Sequence, residues 1–176
     1  MPEDLKKYIR SIKDFPKKGI MFRDITTLLQ EPKVLSETLE QLINFTRGLK
    51  IDKVVGIESR GFIFGSLLAD RLNAGFIPIR KPGKLPAETV SETYELEYGT
   101  DKIEIHKDAI KTGENVLLHD DLLATGGTAE ASCKLIEKLG GKIVQISFLI
   151  ELTFLNGKEK LNKYDVRSII KYDSED

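Results

Sequence analysis

Residues 116–128 read Val-Leu-Leu-His-Asp-Asp-Leu-Leu-Ala-Thr-Gly-Gly-Thr: an apolar strand, two acids at its end, a loop of small residues, then a helix. No other stretch so narrows what this chain can fold into. Gly126 and Gly127 let the backbone approach a ligand so closely that successive N–H groups converge on one anion, and the following helix adds its positive N-terminal end. The hydroxyls of Thr125 and Thr128 are further donors. Asp120 and Asp121 are acceptors placed about one sugar length from that anion pocket, suited to the vicinal hydroxyls of a ribose or to Mg²⁺. The loop contains no lysine, and neither a G-x-x-x-x-G-K-[ST] loop nor a strand-borne G-x-G-x-x-G occurs in the chain. A nucleoside triphosphate or dinucleotide cradle is therefore not the expectation; a sugar monophosphate is.

Around this run the apolar periods alternate between helix and strand, which predicts an α/β fold with a mostly parallel central sheet flanked by helices. Val34, Leu35, Thr38, Leu39, Leu42, Ile43 and Phe45 form a helical stripe between Pro32 and Gly48. Residues 53–57 read as a buried strand, 61–72 as a helix and 75–79 as a second strand, a βαβ unit. The strand at 116–119, a helix over 128–139 closed by Gly140-Gly141 and a strand over 143–150 follow. Between the second and third core strands, Arg80-Lys81-Pro82-Gly83-Lys84 leads into alternating segments on either side of Gly99-Thr100, a hairpin on a long excursion. Insertions of this length in a small domain are commonly lids over active sites.

The 176 residues suffice for one domain, 1–176, with a sizeable core. With 27 basic and 28 acidic residues the net charge is −1, so no overall field favours nucleic acid or an anionic membrane. Any affinity for phosphate is local. The single cysteine, Cys133, and two distant histidines argue against a disulfide or zinc site and fit a cytoplasmic location. No stretch has the composition of a membrane span.

The run at 116–128 resembles the phosphoribosyl-pyrophosphate (PRPP) motif of the type I phosphoribosyltransferases. Three further segments, residues 15–26 (Phe-Pro-Lys-Lys-Gly-Ile-Met-Phe-Arg-Asp-Ile-Thr), 56–62 (Gly-Ile-Glu-Ser-Arg-Gly-Phe) and the lid including 94–98, are similar to the adenine-specific branch of that family. Glu151-Leu152-Thr153 with Gly157-Lys158-Glu159-Lys160-Leu161 fits it too, so the resemblance spans nearly the whole length. It implies the reaction adenine + PRPP ⇌ AMP + pyrophosphate with Mg²⁺, a homodimer, a small N-terminal hood near 1–30 and a flexible lid near 80–106. Mg²⁺ would be held mainly by PRPP, with Asp120 and Asp121 as candidate protein ligands.

Residue by residue, the resemblance assigns Asp120, Asp121, Ala124, Thr125, Gly126, Gly127 and Thr128 to the ribose and 5′-phosphate. Pyrophosphate falls to Glu58, Ser59, Arg60, Arg80, Lys81, Lys84 and Tyr98, with the Glu58–Ser59 peptide often cis in the family. This agrees with the chemistry: displacement at the sugar's anomeric carbon passes through an oxocarbenium-like state, and cations must meet the leaving group's growing charge. Arg60 and the lid carboxylate Glu97 are the catalytic candidates, Glu97 managing the proton on the imidazole side of the base. By the same resemblance, Phe22 is expected to stack on the base, the backbone of Met21 and Arg23 to read its edge, and Leu123 with Ala124 to close the slot. His119 stands where the family usually has an aliphatic residue and is expected to be a hydrogen-bonded strand histidine. Cys133 is expected in the core, and His106 at an exposed strand end. A 6-oxopurine enzyme is disfavoured by Phe22-Arg23-Asp24, and a nucleic-acid-binding PRPP sensor by the neutral charge and the complete lid.

Overall fold

The computed structural model describes residues 4–96 and 99–175. Its centre is a five-stranded parallel sheet in the order β4-β3-β7-β8-β9, where β3 is Lys53–Ile57, β4 Gly75–Ile79, β7 Asn115–Leu123, β8 Lys142–Leu152 and β9 Val166–Tyr172. The inner strands β3, β7 and β8 are mostly buried on both faces, which is why their sequences read as largely apolar runs rather than alternating ones. On one face Val55, Ile57, Val116, Leu118, Ile146 and Phe148 pack beneath α4, Gly127–Lys138. On the other, Val54, Leu117 and Leu149 meet α2, Pro32–Phe45, and α3, Gly61–Arg71.

The helices follow their sequence signals. Helix α2 opens on Pro32, whose missing N–H costs nothing in a first turn, and buries Val34, Thr38, Leu39 and Leu42 at helical spacing. In α3, Gly65 is small because the Phe76 ring of β4 stands 3.0 Å from where its Cβ would be.

Two antiparallel pairs stand apart from the central sheet. Strands β1, Arg10–Lys13, and β2, Met21–Asp24, form an N-terminal hairpin, followed by a single helical turn α1, Thr26–Leu29. Strands β5, Thr89–Glu95, and β6, Thr100–His106, form the predicted excursion between β4 and β7. It lies along α4, with Lys138 Nζ bonded to Glu92 and within 3.4 Å of the Ser91 carbonyl.

One boundary differs in a way that matters. Strand β7 does not stop at His119 before the acids but continues through Asp120 and Asp121 to Leu123, because β8 pairs with it as far as Leu123↔Glu151. The acids are thus fixed by a sheet ladder. Chain connectivity turns outward from the centre here: β3 leads through α3 to β4 on one side, and β7 through α4 to β8 on the other. Ligands of open α/β sheets bind beyond the strand C-termini at such a switch point.

Candidate active site

The C-terminal ends of β3 and β7 open into a cavity of about 300 Å³ lined by Glu58, Ser59, Arg60, Arg80, Lys81, Tyr94, Asp120, Asp121 and residues 122–129. At its base Gly126 takes the left-handed conformation, φ +83°, and no side chain caps α4, so the helix presents its first amides to the cavity. The loop conformation is locked from behind. A Cβ on Gly126 would stand 2.5 Å from the Gly157 carbonyl oxygen, and one on Gly157 would stand 2.2 Å from the Ala124 oxygen. The chain segment at Gly157 therefore seats directly on the loop at 124–126, and a side chain at either position would force the two apart. Lys158 secures that segment by pairing with the buried Glu151 at 2.9 Å, and Leu161 anchors it in the core.

Asp120 and Asp121 stand side by side near the end of β7, bordering the cavity. Burial raises both carboxyls above the ordinary range; the Asp121 charge lifts Asp120 further, whereas Arg60 and the hydrogen bond with Asp120 partly offset the rise at Asp121. The Arg60 guanidinium approaches Asp121 with Nε 2.8 Å from Oδ2, a close charge contact without hydrogen-bond alignment. Among the described residues its buried Nη1 has no partner. The peptide before Ser59 is cis, as expected for this loop.

On the lid side, Glu58 gathers the cations. Arg80 Nη2 lies 3.1 Å from Glu58 Oε1, Lys84 Nζ 3.4 Å from the same oxygen, and the Lys81 amide donates to Oε2 at 2.9 Å. Burial works against the charged form of Glu58, but these partners outweigh it and hold its carboxyl below the usual range. Arg80 and Lys81 line the cavity, whereas Lys84 does not. Lys81 binds Asp101, whose carboxylate accepts from the Tyr94 hydroxyl at 3.1 Å, and Tyr94 in turn accepts from Thr128 Oγ1 at 3.2 Å. The hairpin is thereby tied to the first turn of the phosphate helix. Glu97 and Tyr98 lie outside the described residues.

A second cavity, of about 430 Å³ and mostly apolar, adjoins the first. It is lined by Met21, Phe22 and Arg23 of β2, by Leu122, Ala124 and Thr125, by Leu152, Phe154 and Leu155, and by Glu175. The two share Arg60, Leu122, Ala124 and Thr125. The Arg60 guanidinium lies 4.8 Å from the Phe22 ring centroid, and Phe15 packs edge-on against the same ring at 5.1 Å.

Leu123 is absent from this second cavity. Successive strand residues point to opposite faces, so Leu122 faces the apolar cavity while Leu123, 1% exposed, turns into the core under α4 and borders the polar cavity. The sequence reading missed Leu122, Phe154, Leu155 and Glu175; the Glu151-Leu152-Thr153 segment was the available signal for that wall.

His119 is fully buried on β7 with Nδ1 2.9 Å from Ser147 Oγ, and burial pushes its imidazole down to about 3. It is a neutral strand histidine beside the site. Cys133 is buried among α4 residues, its thiol pushed up to about 12 by burial. No cluster of three His, Cys, Asp or Glu side chains suited to a metal exists among the described residues, and none of their helices is long and apolar enough to cross a membrane.

A glycine-turned loop at a helix N-terminus, a buried carboxylate pair and an adjoining apolar slot meet at one arginine. The phosphoribosyl transferase domain model matches residues 24–175. An adenine phosphoribosyltransferase of Christiangramia forsetii is 62% identical over 96% of this chain and 99% of its own length. The crystal structure of the Thermoanaerobacter pseudethanolicus adenine phosphoribosyltransferase superposes with a TM-score of 0.95 at 56% identity, covering 98% of this chain and 100% of that one. The Saccharomyces cerevisiae enzyme, solved with an imino-altritol bisphosphate and adenine, gives 0.88 at 42% identity, covering 94% and 96%. The chain belongs to the adenine phosphoribosyltransferase family.

Proposed function

We propose that this chain transfers the 5-phosphoribosyl group of PRPP to N9 of adenine, giving AMP and pyrophosphate, with Mg²⁺, as a cytoplasmic homodimer of purine salvage. The observation that carries the reading is the pair of adjoining cavities, one charged and one apolar, that meet at Arg60, Ala124 and Thr125. The reacting sugar carbon belongs at that junction, with 5′-phosphate on the Thr125–Thr128 loop, ribose hydroxyls on Asp120 and Asp121, and base against Phe22. The yeast relative was solved with a bisphosphate and adenine together, one ligand of each chemistry.

Asp120 and Asp121 are hard oxygen donors whose negative charge burial disfavours, so they fit Mg²⁺ brought in by PRPP; that ion would neutralise developing pyrophosphate charge. Arg60 lines the charged cavity, carries a buried Nη1 that has no partner among the described residues, and is the protein's own stabiliser of the leaving group. Arg80 and Lys81 line the same cavity and would exchange the carboxylates of Glu58 and Asp101 for phosphate oxygens of the leaving group. Glu97, by family resemblance, manages the proton on the base as N9 attacks, and Tyr98 joins the pyrophosphate ligands. The backbone of Met21 and Arg23 offers one acceptor and one donor to the adenine edge, a pattern that hypoxanthine presents in reverse.

The deciding experiment is pyrophosphate release on mixing the protein with PRPP, Mg²⁺ and single bases. Adenine should be consumed and hypoxanthine and guanine nearly ignored, with discrimination on the order of a hundredfold or more from two facing polar mismatches. Comparable kcat/KM for adenine and hypoxanthine would reject the adenine assignment and spare the PRPP site. Light scattering tests the dimer.

A further inference from the structure

The side chain of Arg23 is 5% exposed, yet among the described residues no carboxylate pairs with it. The neighbouring Asp24 is taken by Arg10, whose Nη2 stands 2.6 Å from Oδ2. Burying a guanidinium without a counter-charge is costly unless its donors and its face are used. Here two of its three nitrogens and its face are used, while Nε has no hydrogen-bond partner among the described residues, and the far end of the chain supplies one acceptor and the ring. Nη2 donates to the Glu175 carbonyl at 2.7 Å, across 152 positions of sequence; the guanidinium lies 3.9 Å from the Tyr172 ring centroid; and Nη1 donates to Ser11 Oγ on β1. A planar fork that bonds in two directions while stacking on a ring is what arginine, and not lysine, provides.

The place of this contact gives it a consequence for the base. Glu175 lines the apolar cavity, as does Arg23 itself. On the opposite flank the Thr153 hydroxyl lies 3.0 Å from the Tyr172 carbonyl and 2.6 Å from Asp173 Oδ1, next to Leu152, Phe154 and Leu155 of the same cavity. Residues 172–175 thus bridge the two walls, with Arg23 gripping one end of the bridge.

We propose that the C-terminal segment 173–175 is a working wall of the base pocket, and that Arg23 is a positioning residue whose side chain holds this wall and β2 in register for the base. The inference rests on the proposed adenine reaction and assigns Arg23 a role beyond its backbone. An arginine serving stability alone would leave substrate preference untouched.

The test compares the parent with Arg23→Gln, with a chain ended after Tyr172, and with the two changes combined. Each single change should raise the adenine KM about tenfold, with kcat and the PRPP KM held within about twofold. Because both act through one contact, Arg23→Gln should add less than about twofold to the shortened chain. An unchanged adenine KM in the shortened chain overturns the proposal. So does a parallel rise of both substrates' KM, which marks general loosening. If Arg23→Gln does not fold, the shortened chain decides. Should the parent show no adenine turnover, the reaction itself is rejected, and direct calorimetric titration of parent and shortened chain with adenine then judges the wall separately.

Discussion

Arg60 Nε stands 2.8 Å from Asp121 Oδ2, and the same guanidinium lies 4.8 Å from the Phe22 ring. One side chain therefore touches both the acid proposed to bind the sugar and the ring proposed to stack on the base. It comes from the turn between β3 and α3, whereas Asp121 belongs to β7 and Phe22 to the N-terminal hairpin, so the site is registered across three separate elements.

Arg60→Gln removes both contacts and leaves Asp121 buried without its cation. Unfolding free energy should fall by about 1–3 kcal/mol, and kcat/KM by about a hundredfold or more. Denaturant titration and steady-state kinetics measure the two. Arg60→Lys should retain more stability than activity, since a lysine keeps the charge and loses the fork.

Asp120→Asn should weaken PRPP binding while stabilising the unliganded protein at pH 7. The folded state raises the Asp120 carboxyl above its unfolded value, so its favourable contribution is present at low pH and lost as pH rises through the raised value. Asparagine stays neutral throughout and avoids the repulsion from Asp121, for an expected gain of about 1 kcal/mol, or roughly 2–4 °C in Tm. A lower Tm with unaltered PRPP affinity would contradict the assignment of the pair.

Phe22→Ala should raise the adenine KM by about ten- to a hundredfold through lost stacking, without admitting hypoxanthine. Met21→Leu should preserve the preference, because the proposed reading of the base edge uses the backbone and not this side chain. Both are read from KM values on the same base panel.

His119 gives the stability a pH dependence. Its folded value is about 3, against an ordinary 6.5, so the unfolded chain takes up a proton that the folded chain refuses as pH falls below 6.5. This group's contribution is fully present above 6.5 and declines by about 1 kcal/mol per pH unit below it. In His119→Leu that decline should vanish, so the difference in unfolding free energy between pH 7.5 and pH 5 should narrow by about 1–2 kcal/mol.

Gly157→Ala places a methyl 2.2 Å from the Ala124 oxygen, and the phosphate loop must move to admit it. The PRPP KM should rise about tenfold or more, with a smaller change for adenine, and stability should drop by about 1–3 kcal/mol. Kinetics with each substrate varied in turn check the split.

Local chemistry made much of this protein legible from its residues. The glycine pair after Thr125 can only be a close-approach turn, Pro32 can only open α2, and apolar runs too short for helices become buried strands; each is settled by interactions within a few positions. The acids, the phosphate loop and Arg60 could be named for the same reason. The extent of β7 was decided by tertiary structure, because β8 supplies the ladder that carries the strand through Asp120 and Asp121 to Leu123. So was the exchange of Leu123 for Leu122 in the base cavity, since which face of a strand meets which layer depends on the layers packed against it. The seating of Gly157 on the phosphate loop and the grip of Arg23 on Glu175 lie beyond sequence periodicity altogether. These contacts join residues far apart in the chain, and only the packed sheet brings them within reach.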